Sequence, residues 1–159
     1  MQNILILDNI RSAHNVGSIF RTADTVGISK IYLIGTTPDP IDRFGRPQKE
    51  IAKTALGAEQ TIHWEHSKDV FSVLEKYPNY FKIALEQSKN SIDYKKIKQT
   101  DNPLAGTGNI IILGAEVTGL TKEVISKCDI VAEIPMKGEK ESLNVSVAFG
   151  VFIFRFLDI

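Results

Sequence analysis

Short apolar runs alternate with helix-period stretches along the whole chain. Asn3 to Leu7, Lys30 to Ile34, Phe81 to Leu85, Asn109 to Leu113 and Ile130 to Ile134 are brief, rich in isoleucine, leucine and valine, and bounded by turn residues, which predicts strands. In Ile110-Ile111-Ile112-Leu113 the apolarity is continuous, as in a central parallel strand covered on both faces. Val16, Ile19, Phe20, Ala23 and Val26 fall on one helical face, with Asn15 as the predicted N-cap and Gly27 as the stop. A second helix is predicted to start near Ser67 and carry Val70, Phe71 and Leu74; a short one runs from a Thr121 cap to Lys127. This alternation predicts an α/β fold, a parallel sheet flanked by helices.

The last segment has a different pattern. From Ser142, its predicted N-cap, to Leu157, the residues Leu143, Val145, Val147, Ala148, Phe149, Val151, Phe152, Phe154 and Phe156 leave almost no polar face. A helix apolar all round must be buried from several sides. At the C-terminal end of so short a chain it is hard to enclose with its own residues, so a homodimer interface is expected. The alternative is insertion wholly into the protomer core. Loops are predicted at 35–40, 101–108 and 114–121, and a single domain is expected over 1–159, without linker or repeat.

Composition narrows the classes of function. With 43% apolar and 24% charged residues the chain is an ordinary globular one, and its formal net charge of zero excludes a diffuse polycation, so nucleic-acid binding must use local patches. Residues 42–53 carry Arg43, Arg46, Lys49 and Lys53 against Asp42 and Glu50; residues 86–100 carry four lysines against Glu86 and Asp93. Taken alone, either reads as a solvated face before it reads as a binding patch. The lone Cys128 excludes an intrachain disulfide and fits a reducing, cytoplasmic setting. The N-terminal run is too short and lacks the basic residues of a signal peptide, and no stretch reaches the roughly 18 apolar residues of a membrane helix. His14, His63 and His66 lack metal-ligand spacing, so no metal is expected.

Three segments carry candidate chemistry. Asn9 to Arg21 leaves the first strand and enters the first helix, at the strand edge where open α/β sheets bind ligands and where helix N–H groups attract anions. Asn15 and Arg21 point roughly 120° apart on an ideal helix, so they converge only on something as large as a phosphate and its sugar. On local sequence alone the favoured reading is plainer, with Asn15 a cap and Arg21 a surface ion-pair member. In the second, Ile112 to Thr121, a buried strand opens into a loop between Gly114 and Gly119, with Glu116 at the strand's end. An ordinary turn has the same pattern. The third, Ile134 to Ala148, again runs from strand to helix; Asn144 in the first turn of an apolar helix is costly unless its amide has a partner.

Together, Asn15-Val16-Gly17-Ser18-Ile19-Phe20-Arg21, then Leu113-Gly114-Ala115-Glu116 with Gly119-Leu120, then Ile134-Pro135-Met136 and Ser142 to Ala148, resemble the three motifs of the SpoU/TrmH family of the SPOUT class, across nearly the whole chain. The resemblance implies a deep trefoil knot in the C-terminal half and a homodimer. It also implies S-adenosylmethionine held at Leu85, Gly114, Ile134, Met136, Ser142 and Leu143, and methylation of a ribose 2′-hydroxyl in tRNA or rRNA. By the same likeness Arg21 is closest to the chemistry, with Asn15 orienting it or an RNA phosphate, and with Glu116, Ser142 and Asn144 completing the catalytic site. A guanidinium resists deprotonation, so Arg21 is expected to stabilise the developing alkoxide while an RNA phosphate or water takes the proton. Arg11, Arg43, Arg46, Lys49 and Lys53 are the candidates for gripping RNA, with a structured loop favoured over duplex. Competing readings are base methylation by the same fold and a non-catalytic module that binds RNA or S-adenosylmethionine.

Overall fold

The computed structural model describes residues 1–103 and 106–159. Among these, seven strands form one parallel sheet in the order β3-β2-β1-β6-β4-β7-β5. In chain order the strands are β1 (Asn3–Asp8), β2 (Lys30–Ile34), β3 (His63–Ser67), β4 (Phe81–Leu85), β5 (Ile92–Asp93), β6 (Asn109–Leu113) and β7 (Ile130–Glu133). The helices are α1 (Ala13–Thr25), α2 (Lys49–Ala55), α3 (Ala58–Thr61), α4 (Val70–Lys76), α5 (Lys122–Ile125) and α6 (Val145–Leu157). As predicted, β6 is central and buried throughout, paired with β1 on one side and β4 on the other.

Because side chains alternate along a strand, the sheet divides the core in two. Leu5, Leu7, Ile111 and Leu113 face α1, α2 and α6, where Phe20, Ile51, Phe149, Phe152, Ile153 and Phe156 are buried. Ile4, Ile6, Ile110 and Ile112 face α4 and α5, through Val70, Val73, Leu74 and Val124. At about 1.5–3 kcal/mol for each large apolar side chain taken from water, the four buried residues of α6 contribute about 6–12 kcal/mol to the first layer. Since all the strands are parallel, their carboxyl ends share one edge, and the loops 9–12, 35–48, 86–91, 114–121 and 134–144 gather there.

Local capping differs from the sequence expectation at two places. The N-cap of α1 is Ser12, whose hydroxyl accepts the Asn15 N–H; Asn15 lies inside the first turn and is buried. The N-cap of α6 is Asn144, not Ser142: its amide oxygen accepts the Ser146 N–H, and the helix starts at Val145. The helix expected near Ser67 starts at Val70 behind an Asp69 cap, and the one expected to reach Lys127 ends at Ile125. Of the loop expected over 101–108, Leu104 and Ala105 lie outside the described residues. Among the described residues no helix is long and apolar enough to cross a membrane.

Candidate active site

A cleft of about 530 Å³ opens at the carboxyl ends of β4, β6 and β7, a volume typical of a small-molecule site. Leu85, Gly114, Ile134, Met136, Ser142 and Leu143, brought from three separate segments, all line it. So do four carboxylates, Glu86, Glu116, Glu133 and Glu141, and among the described residues no lysine or arginine does. Such walls repel a phosphate and favour a cation with an apolar body.

Loop 114–121 is folded back on itself. Gly119 sits at φ +64 and its N–H donates to Ala115 O at 2.9 Å. A Cβ at Gly114 would meet the Gly119 carbonyl carbon and the Leu120 nitrogen at 2.5 Å, so the close approach that Gly114 permits is to its own loop. The Glu86 carboxylate fixes the loop from the side by accepting the Leu120 N–H at 2.9 Å. Gln87 then donates from Nε2 to Glu141 O at 2.8 Å, tying the end of β4 to loop 134–144. Sequence reasoning passed over Glu86 and Gln87. Their signal was weak but present: polar residues just past a strand's carboxyl end, as Glu116 is.

At the mouth of the cleft, a hydrogen-bonded chain joins the three motif segments. Asn144 Nδ2 donates to Asn15 Oδ1 at 3.1 Å, and Asn15 Nδ2 donates to Glu116 Oε1 at 3.1 Å. Its polarity is set from both ends. A carboxylate only accepts, so Glu116 fixes the Asn15 amide; the Ser146 N–H only donates, so it fixes Asn144. The backbone N–H groups of Arg11 and Ser12 each donate to Glu116 at 3.3 Å. Partial loss of solvent pushes the Glu116 carboxyl up, but the bonds from its own N–H, Asn15, Arg11 and Ser12 outweigh it and hold the group below the usual carboxylate range.

Arg21 stands apart. It lies on the exposed face of α1, six residues beyond Asn15, and does not line the cleft. Arg11 contributes its backbone, while its side chain is exposed at the β1–α1 corner. Arg43, Arg46, Lys49 and Lys53 are exposed along the turn after β2 and on α2, with Arg46 Nε paired to Asp42 Oδ2 at 2.9 Å. Gly17 in the first motif has a packing role: a Cβ there would overlap Thr54 Oγ1 and the Ile51 carbonyl on α2. Burial, and then the neighbouring Asp129, push the Cys128 thiol up to about 12, so it stays protonated and offers no nucleophile.

Comparison with known proteins gives a consistent result. The chain is 30% identical over 156 residues to a protein of Staphylococcus aureus (strain MSSA476) assigned to the TrmH family of tRNA/rRNA methyltransferases, covering 98% of this chain and 58% of that one. A Staphylococcus saprophyticus relative assigned to the same family is 32% identical over the same shares. In three dimensions the chain resembles the AdoMet-bound rRNA methyltransferase of Sinorhizobium meliloti, with a TM-score of 0.83 and 27% identity over 97% of this chain and 55% of that one. It therefore spans little more than half the length of these relatives. Residues 2–154 match the SpoU rRNA Methylase family, and with the motif segments meeting at one sheet edge, the chain belongs to that family.

Proposed function

We propose that the chain catalyses S-adenosylmethionine-dependent methylation of a ribose 2′-hydroxyl in tRNA or rRNA. The observation that carries this reading is the cleft: carboxylates and apolar side chains line it and, among the described residues, no lysine or arginine does, beside an amide chain fixed in one orientation. Those walls fit a sulfonium with an adenosine body, and the Sinorhizobium meliloti relative is an AdoMet-bound enzyme. Bound S-adenosylmethionine supplies an electrophilic methyl group.

The protein's part is holding and charge placement. Leu85, Ile134, Met136 and Leu143 give the adenosine body apolar walls, and Gly114 and Ser142 border it. Asn15, buried behind the lining, locks Glu116 and Asn144 at the mouth in one orientation toward the ribose, and positioning of this kind can supply several kcal/mol of barrier reduction (about 7–11 at the limit). Arg21 stabilises the alkoxide as it develops, and an RNA phosphate or water takes the proton. Glu116 is a poor acceptor, since its lone pairs are engaged and its pKa is lowered. Because Arg21 stands outside the cleft of its own copy, the reading needs a homodimer in which a second copy delivers it. Support comes from α6, where Val147, Val151 and Phe154 form an exposed apolar stripe opposite the buried phenylalanines. The trefoil knot belongs to the same reading; β4 lies between β6 and β7 in the sheet, and loops 114–121 and 134–144 meet beside its end.

The test is transfer of labelled methyl from S-adenosylmethionine to total RNA, followed by alkaline hydrolysis. Label in alkali-resistant dinucleotides is expected, and its absence with Arg21→Ala. Label in alkali-released mononucleotides would mean base methylation, and no transfer at all a binding module. Arg21→Lys keeps the charge but not the planar fork, and is expected to retain part of the activity. Complete loss with intact cofactor binding would count against charge stabilisation alone.

A further inference from the structure

The turn joining β2 to α2 has a feature that the cleft does not use. Phe44 stands at its tip with 66% of its surface exposed, and two guanidiniums lie over its ring, Arg43 Cζ at 4.7 Å and Arg46 Cζ at 4.9 Å from the centroid. Phe44 is far more exposed than Phe71 and Phe154, at 38% and 40%, and a ring held out in this way offers its face to something flat.

The turn is built to hold that ring out. One carboxylate organises it: Asp42 Oδ1 accepts the Phe44 N–H at 2.8 Å and the Arg46 N–H at 3.0 Å, and Oδ2 accepts Arg46 Nε at 2.9 Å. The backbone closes behind, with Asp42 N–H to Arg46 O and Gly45 N–H to Asp42 O, each 2.9 Å, and an antiparallel bridge between Ile41 and Pro47. Those bonds to Asp42, the Arg46 backbone first, hold its carboxyl below the usual range, so the tether stays charged. The base of the loop is anchored to the catalytic edge through Thr37, whose buried hydroxyl donates to Leu7 O at 2.9 Å and accepts the Ile10 N–H at 3.0 Å.

The two arginines differ. Arg46 is tethered by Asp42, whereas for Arg43 the contact with the ring is the weaker kind of anchor, one an arriving base can displace. We propose that the Asp42–Arg46 turn is a stacking platform for one unpaired base of the RNA, with Phe44 as the ring and Arg43 and Arg46 as its phosphate-holding guanidiniums. The proposal rests on the reading of the chain as an RNA methyltransferase and adds to it the kind of RNA, one with an unpaired base a few nucleotides from the modified ribose. Such a strand would lie along the sheet edge, since β2 is two strands from β6, roughly 10 Å at ordinary strand spacing. Aromatic rings beside guanidiniums are how proteins hold unstacked bases.

The test measures binding directly, without methyl transfer. The whole chain is titrated with a short RNA hairpin carrying 2-aminopurine in its loop and, in parallel, with a blunt RNA duplex of equal length. Quenching of the loop fluorophore is expected for the wild type, with the hairpin bound more tightly than the duplex. Phe44→Leu should abolish quenching and weaken hairpin binding about five-fold or more, leaving the salt dependence unchanged, whereas Phe44→Trp should preserve both. Arg43→Ala should instead lower the slope of log affinity against log salt by about 0.7. Hairpin binding by Phe44→Leu equal to wild type, with quenching intact, would overturn the platform and leave the methyltransferase reading standing. Failure of the wild type to bind either RNA would remove both.

Discussion

Glu116 is placed to report on the candidate site through pH. Its folded pKa lies below the unfolded value, near 4.5, because four donors surround it. The unfolded chain therefore takes up the proton first as pH falls, so the stabilisation is present above about 4.5 and is lost as pH drops through the folded value. Glu116→Gln removes the titration and turns an amide N–H toward one of the donors. The expected result is a lower unfolding temperature at neutral pH and a shallower decline toward about pH 3, read by thermal melts of both proteins across that range. An identical pH profile in the two would mean that the bonds from Arg11, Ser12 and Asn15 contribute nothing to folding. Asp8 works in the opposite direction. Burial raises its pKa, only partly offset by the Asn9 amide, so its contribution weakens as pH rises.

Between helices, Gly17 shows how a motif residue acts through packing. α1 and α2 lie so close that Thr54 Oγ1 reaches His14 O at 3.1 Å, and a methyl at Gly17 would overlap Thr54 and the Ile51 backbone. Alanine gains up to about 1 kcal/mol in helix propensity over glycine, but overpacking costs about 1–3 kcal/mol, and backbone cannot swing aside. Gly17→Ala should thus be destabilising overall, lowering the melting temperature by a few degrees at about 2–4 °C per kcal/mol; an unchanged or raised value would show that α2 can move away freely. The same contrast between local and distant causes explains what could be read from the sequence. The strands β1, β2, β4, β6 and β7 and the helix α1 were legible because buried apolar periodicity is written locally. The edge strand β3, with the polar run His63 to Ser67, and the seven-residue helix α2 were not, since their pattern is mostly solvent's. The N-cap of α6 was misread for a related reason: serine and asparagine cap equally well by type, and what selects Asn144 is Asn15, 129 positions away.

On the scale of the whole molecule, a net charge of zero conceals a division, an anionic cleft at the ends of β4, β6 and β7 and a basic turn after β2, on one sheet edge. That division suits a cationic cofactor and an anionic polymer approaching together. It leaves Arg21 outside the cleft, and under the proposed reading only a second copy supplies it. Val147, Val151 and Phe154 on α6 are 50%, 38% and 40% exposed at helical spacing, and in the proposed homodimer they are the seam, where a charge separates the copies: under that proposal Val151→Glu is expected to sediment as a monomer and lose transfer while still folding. Mixed dimers then decide where Arg21 acts. Pair a chain carrying Arg21→Ala with one carrying Glu116→Ala, each inactive alone. If each site takes Arg21 from the opposite copy, one site in the mixed dimer has all its residues and the other lacks both, so about half of the wild-type transfer rate returns. If Arg21 serves its own cleft, every site is defective and no activity returns, in which case α6 would be an interface without a part in the chemistry.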